Sequence, residues 1–432
     1  MTQLIIPTAS DLAGDLGDLT DEILARCELL AVASEEPGRL TRTYLSAPMH
    51  QVHALLAAWM VEAGMTVRLD PAANLIGRYP AAGGSDTAPA ILLGSHLDTV
   101  PDAGRFDGML GVLLGIAAVR ALNLAGRALP FAIEVVGFAE EEGVRYQTPY
   151  LGSLALAGRF DPALLDLVDA SCVRMADALA DFGLDPAEIG AAAAPPGRYR
   201  AYLEAHIEQG PVLEAAGLPV GVVTAIAGQS RLVVAFEGKA GHAGTAPMDL
   251  RRDTLPAAAE LILAVEALAR SVPGLRGTVG SIAAAPGAPN VIPGRATLSL
   301  DLRHEADPVR DRAVADLLAA AAQIAARRGL TFRVDRALHL PAVPADHALT
   351  DRLASAVAGC GIGPHFLVSG AGHDAAILAQ MMPMAMLFVR SPGGISHHPD
   401  ERVDRDDVRA ALDVMGRWLR DLADEDLAGR VI

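Results

Sequence analysis

The stretch Ala90-Ile91-Leu92-Leu93-Gly94-Ser95-His96-Leu97-Asp98-Thr99-Val100 decides the fold. Its apolar first half reads as a short buried strand, Ala90–His96, and its second half is polar. Downstream, Asp107–Asn123 has helical periodicity behind an acidic residue. Phe131–Ala139 is a further apolar strand, and it runs into Glu140-Glu141-Glu142-Gly143. Strand, helix and strand in that order predict an α/β fold whose mostly parallel central sheet is covered by helices. In open sheets of this kind ligands sit beyond the carboxyl ends of the strands. That is where His96, Asp98 and the Glu140–Glu142 run fall.

Working outward, residues 20–65 read as helices, and Ser10-Asp11 and Asp307-Pro308 as helix starts. A second block begins near Ile226. Arg231–Gly238 reads as a strand, Thr254–Arg270 as a helix, Gly277–Ala284 and Ala296–Arg303 as strands, Val309–Arg328 as a helix and Leu330–Val334 as a strand. This is a βαββαβ unit of about a hundred residues, a common domain size. Pro341 and Pro344 mark the return, and Ala385–Arg390 is a last apolar strand before a Gly-rich loop. The expected organisation is a catalytic domain over 1–225 and 338–432 with 226–337 inserted into it.

The chain has 432 residues, 51% of them hydrophobic, which is ample for a large core. Its net charge of −17 leaves no electrostatic footprint for nucleic acid or an anionic membrane. An anionic substrate therefore needs locally concentrated positive charge, from metal ions and a few arginines. Cys27, Cys172 and Cys360 are too few and too scattered for a disulfide framework, which fits a cytoplasmic protein. Met1–Asp21 does not read as a signal peptide, and the apolar run Met109–Val119 is too short to span a bilayer.

The candidate chemistry lies at strand ends. His96 is placed to bind a metal, with Asp98 two residues on to orient its imidazole; alone, such a pair is more often a polar turn. Asp107 precedes a helix; taken alone it reads more readily as an N-cap than as a carboxylate bridging two ions. Three adjacent carboxylates at Glu140–Glu142 repel one another. A solvated charge run is the bland reading; a cation plus a proton-accepting neighbour is the chemical one. His206 ends another strand in Ala205-His206-Ile207-Glu208-Gln209-Gly210. His397 and His398 are adjacent in the last loop, so at most one is a ligand. Two or three histidines and two carboxylates at the strand ends of one sheet are the set a binuclear site needs.

Taken together, GSHLDTV, GRFDGMLGV, AEEEGVRY, HIEQGPVLE, GKAGHAGTAPM, PNVIPG, DLR, SGAGHDA and GGISHHPDE resemble the M20-type metallohydrolases. The resemblance runs from about residue 90 to 401. It is narrower to the amidase/carbamoylase branch: N-carbamoyl-L-amino acid hydrolase, allantoate amidohydrolase and β-ureidopropionase. It implies two divalent ions per subunit, zinc with manganese, cobalt or nickel as alternatives. His96 and His206 would hold them with Asp107 bridging, and Glu142 and His397 would complete the second site. It implies Glu141 as general base and His242 stabilising the oxyanion, with Asp98 counted among the catalytic residues for its hold on the His96 ring. Gln209, Asn290, Arg303, Gly372 and His373 would bind the substrate. The inserted domain would be a lid and form a homodimer. The implied reaction is C–N cleavage in a carbamoyl- or ureido-substituted carboxylate with release of ammonia. An M20-type aminoacylase or dipeptidase is the nearest alternative, and a silent ligand-binding homologue the more distant one. Arg390, at the end of the last strand, is either an extra anion contact or a solvated charge.

Overall fold

A computed structural model describes residues 13–85 and 87–427, so the helix start expected at Ser10-Asp11 lies outside the described residues. The chain forms two compact units. One comprises Met1–Thr224, Ala345–Leu367 and Gly372–Ile432; the other comprises Ala225–Pro344 and Val368–Ala371.

The first unit is built on the strands that open the sequence argument. Ala90–His96 and Ala132–Phe138 are buried along their whole length, as strands covered on both faces must be. Ala132–Phe138, Ala90–His96, Tyr199–Ile207 and Met384–Val389 run side by side and parallel. Antiparallel strands flank this centre: Leu75–Tyr79 and Thr66–Leu69 on one side, Val220–Ile226 on the other. Parallel neighbours end on the same side, so the residues after His96, Phe138 and His206 share one rim.

The helix behind that rim runs over Met109–Leu124, with Gly108 rather than Asp107 at its N-cap. Its residues are buried from Met109 to Val119. Gly111 brings it against the sheet, because a Cβ there would lie 2.0 Å from the Ala205 carbonyl oxygen. Helices Ala13–Ala31 and Arg405–Leu427 pack on it from outside. Trp418, Leu419 and Leu422 of the last helix join the same core as Leu110, Leu113 and Leu114; each buried leucine contributes about 2 kcal/mol. Short helices between Leu151 and Ala192 form an excursion with no strong periodicity.

The second unit is a four-stranded antiparallel sheet in the order Thr331–Leu340, Gly228–Glu237, Arg295–His304, Arg276–Ala285. Ala296, Leu298, Leu300 and Leu302 alternate inward and meet Leu261, Val265, Leu317 and Ile324 of the helices Thr254–Ser271 and Asp307–Arg328. The expected start at Asp307-Pro308 coincides with the second helix, whose first turn carries the proline. The final strand extends six residues past the expected Val334, through a bulge between Val334 and Arg336. It is an edge strand exposed on both faces, so it lacks the alternation that marks a half-buried strand.

Candidate metal centre

His96 is the last residue of its strand, and His206 the last but one of the parallel neighbour. Glu140-Glu141-Glu142 follow Phe138 on the other side. Asp107 precedes the helix that packs beneath them. Gly108 has a φ of +68°, and a Cβ there would lie 2.5 Å from the His96 ring. Only glycine meets both requirements, and it lets Asp107 turn towards the histidines.

The two oxygens of Asp107 face different partners. Oδ1 lies 3.0 Å from His206 Nε2 and 3.7 Å from His96 Nε2, and those two nitrogens are 3.5 Å apart. Oδ2 lies 3.0 Å from His397 Nε2, which is 3.2 Å from Glu142 Oε1. Two groups of three ligand atoms result, His96–Asp107–His206 and Asp107–Glu142–His397, with Asp107 in both; His96, Glu141 and Glu142 form a third. His398 points elsewhere: its Nδ1 accepts the Asp400 amide at 3.1 Å. His397 is therefore the histidine of the pair that joins the cluster.

These residues fit divalent cations on internal grounds. His96 Nδ1 is 3.0 Å from the Asp98 carbonyl oxygen, and His206 Nδ1 is 2.8 Å from the Ile207 carbonyl oxygen. A carbonyl only accepts, so each ring carries its proton on Nδ1 and turns a bare Nε2 lone pair inward. Those lone pairs converge on Asp107 Oδ1, which is buried and accepts no well-directed hydrogen bond. Electron pairs facing one another in a buried site call for a cation between them. Imidazole and carboxylate donors suit zinc, manganese, cobalt or nickel.

Charge is concentrated here. Burial would raise the Asp107 carboxyl, but the histidines around it, His206, His397 and His96, hold it well below the usual carboxylate range. Glu141 is driven well above the carboxylate range by burial and by the charges of Glu142, Asp374 and Asp98, against the opposing pull of His96. Hydrogen bonds to Asp107 and Glu142 push His397 up to about 10. Backbone strain gathers at the same place. Glu140, Gln209 and His397 have φ values of 54°, 57° and 56°, in the region non-glycine residues rarely enter.

The other expected residues are placed as follows. The Asp98 carboxylate sits 3.8 Å from His96 Nδ1, and its main-chain carbonyl orients the ring instead. The carboxylate accepts the Glu141 and Glu142 amides at 3.0 Å each, fixing the carboxylate loop. Gln209 donates from Nε2 to Asp107 Oδ2 at 3.0 Å. His373 lies with its ring centre 4.5 Å from that of His206, next to Gly372. Burial, with the neighbouring His206, holds His373 well below the usual imidazole range. His242, Asn290 and Arg303 belong to the second unit. His242 and Asn290 are exposed, and the main chains of Ala243 and Asn290 are bonded at 2.9 Å. Arg303 forks onto Asp301 with two bonds of 2.8 Å and donates to the Gly370 carbonyl at 2.6 Å. Arg390 is a structural ion pair, 2.7 Å from the Asp407 carboxylate.

Two residues beside the cluster escaped the sequence reading, Ser396 and Glu401. Both lie in the GGISHHPDE stretch, which was the available signal. Glu401 is 3% exposed and accepts the Phe106 and Asp107 amides at 2.8 and 3.1 Å.

The chain also resembles known proteins. Residues 92–421 match the model for peptidase family M20/M25/M40. The chain is similar to N-carbamoyl-L-amino acid amidohydrolase of Geobacillus stearothermophilus, 40% identical over 92% of this chain and 96% of the relative. It is also similar to allantoate deiminase of Arabidopsis thaliana, 39% identical over 91% of this chain and 80% of the relative. Among solved structures, an amidase of the hydantoinase/carbamoylase family from Burkholderia multivorans superposes with a TM-score of 0.86, at 33% identity over 93% of this chain and 97% of that one.

Proposed function

The chain belongs to peptidase family M20/M25/M40, and from that premise we propose that it is a metal-dependent amidohydrolase acting on a carbamoyl- or ureido-substituted carboxylate. The observation that carries this reading is the shared carboxylate. Asp107 offers one oxygen to the bare nitrogens of His96 and His206 and the other to His397, beside the buried Glu141. The similar relatives are named for N-carbamoyl-L-amino acids and allantoate, both ureido carboxylates.

His96, Asp107 and His206, and Asp107, Glu142 and His397, would hold two divalent ions, which would supply Lewis acidity and lower the pKa of water when bound. Glu141 takes the proton of the attacking water. Its carboxyl group is buried beside His96 and Glu142, where it can accept that proton and then release it to the leaving nitrogen. Asp98 holds the main chain of Glu141 in place throughout. Bond cleavage at a terminal carbamoyl group yields ammonia and a carbamate, which decomposes to carbon dioxide and the amine. Gln209 and His373 belong to the substrate contacts, supported by their closeness to Asp107 and His206. His242 as oxyanion donor, and Asn290, Arg303 and Gly372 as substrate contacts, follow from the family resemblance. A guanidinium fork is the group that best grips a carboxylate.

The reading also includes a homodimer formed through the inserted unit. The edge strand Arg276–Ala285, with Ile282 exposed, supports it. A cytoplasmic location is supported by three unpaired cysteines. Among the described residues no helix is long and apolar enough to cross a membrane.

The test is ammonia release from allantoate and a set of N-carbamoyl-L-amino acids after reconstitution with Zn²⁺ or Mn²⁺, with chelator controls. Chelator-sensitive release from a ureido substrate is expected. Activity confined to N-acetyl amino acids or dipeptides would move the protein to the aminoacylase or peptidase side.

A further inference from the structure

The second ligand group joins residues that the chain brings from distant places. Asp107 comes from the loop before the helix Met109–Leu124, and His397 from the loop after the strand Met384–Val389. Neither loop is regular, and His397 sits in a strained backbone conformation with φ 56°. Something must hold the two loops in register, because a shared carboxylate serves two ions only at a fixed spacing.

Glu401 spans that gap. Its Oε1 accepts the amides of Phe106 and Asp107 at 2.8 and 3.1 Å, gripping the main chain of the first loop. Its Oε2 accepts the Ser396 hydroxyl at 3.1 Å, gripping the second loop one residue before His397. Ser396 Oγ is also 3.2 Å from Asp107 Oδ2, the oxygen that faces His397. Gln209 Nε2 closes the ring at 3.0 Å from Asp107 Oδ2 and 3.2 Å from Ser396 Oγ. The Glu401 side chain has no free volume to relax into. It is 3% exposed, and a Cβ on Gly104 would lie 2.2 Å from its Cδ.

We infer that Glu401, acting through Ser396 and the main chain of Asp107, is the positioning residue that sets the Asp107–Glu142–His397 metal site, while leaving the His96–Asp107–His206 site largely to its own strands. The asymmetry follows from the anchors. His96 and His206 are fixed by two hydrogen-bonded parallel strands and by carbonyls on their own strand ends. His397 has no strand beneath it. Loss of a group behind a metal ligand typically lowers affinity about 10–100-fold. Here that loss should fall on one ion of the pair. The inference rests on the two-ion reading of the site.

The test is a Zn²⁺ titration of the metal-free protein against a chromogenic chelator, comparing wild type, Glu401→Leu, Glu401→Gln, Ser396→Ala and His397→Ala. Wild type should bind two ions, and His397→Ala identifies which step belongs to the second site. Glu401→Leu should weaken that same step about 10–100-fold and leave the other within about threefold. Glu401→Gln keeps an oxygen for the two amides and should restore most of the lost affinity. If Glu401→Leu does not fold, Ser396→Ala cuts the same link from its far end and should weaken the same step by a smaller factor. A residue that merely stabilises the fold would lower the melting temperature of the metal-free protein and leave the ratio of the two affinities unchanged; that result overturns the inference. Equal loss at both steps overturns it too. A wild-type protein that takes up a single ion overturns the two-ion reading, and this inference with it.

Discussion

In the first unit His96, Asp107, Glu141 and His206 are each less than a tenth exposed, and partners from several elements fix them. In the second, His242 and Asn290 are exposed, and Arg303 leans on Asp301 two residues along its own strand. On the proposed reading, the contrast separates metal-holding and catalytic residues from substrate-gripping ones. A metal centre must be assembled before substrate arrives, so its groups are buried and over-constrained, and three carboxylates, Asp98, Asp107 and Glu142, lie within 3.8 Å of His96, His206 or His397. Substrate-gripping groups need only be available. They can wait on a polar sheet face, neutralised by a neighbour. Substitutions at Glu141 and the metal ligands of the first region should therefore act on chemistry and metal content, and those at Asn290 and Arg303 of the second on substrate affinity.

The largest expected effect is at Glu141. Glu141→Gln should lower kcat about 10²–10⁴-fold with metal content intact, as removal of a general base does. Steady-state assays alongside metal analysis check this, and near-normal kcat would transfer the role to another group. Next is Arg303. Arg303→Ala should raise KM about 10–100-fold with little change in kcat, the scale of a charged hydrogen bond. A drop in kcat at unchanged KM would erase the proposed division between the regions.

An effect on stability alone tests a buried histidine away from the cluster. His53 is 8% exposed with an unpartnered Nδ1, and burial lowers its pKa from 6.5 to about 4. Between those values the unfolded chain binds a proton that the folded chain refuses. Stability should therefore fall as pH drops from about 6.5 to 4, by about 3 kcal/mol in all. Urea midpoints across that range should show a shallower slope for His53→Leu; an identical slope would assign the acid loss to other groups. The smallest effect is at His398, whose ring accepts the Asp400 amide of its own loop. His398→Ala should leave kcat and metal content within about twofold, whereas His397→Ala should not.

How far the sequence could be read follows the same division. Ala90–His96, Ala132–Phe138 and Met384–Val389 were legible because buried strands are unbroken apolar runs, and their ends pointed to His96 and the Glu140–Glu142 loop. Asp107 stayed ambiguous between cap and ligand until Gly108 was seen to occupy the N-cap. The Asp98 carboxylate was assigned to the His96 ring on spacing alone; in space the amides of Glu141 and Glu142 lie closer to it, a contact across 43 and 44 residues. Glu401 was invisible for the same reason, because its partners Phe106 and Asp107 lie 295 and 294 residues away. The tail of Thr331–Leu340 was missed because an edge strand exposed on both faces writes no period into the sequence.

The central claim is that one carboxylate serves two metal sites. Counting the Zn²⁺ ions retained by Asp107→Asn, His206→Asn and His397→Asn tests it most directly. The account predicts that each histidine variant keeps one ion and that Asp107→Asn loses high affinity for both. Retention of one ion at wild-type affinity by Asp107→Asn would contradict it.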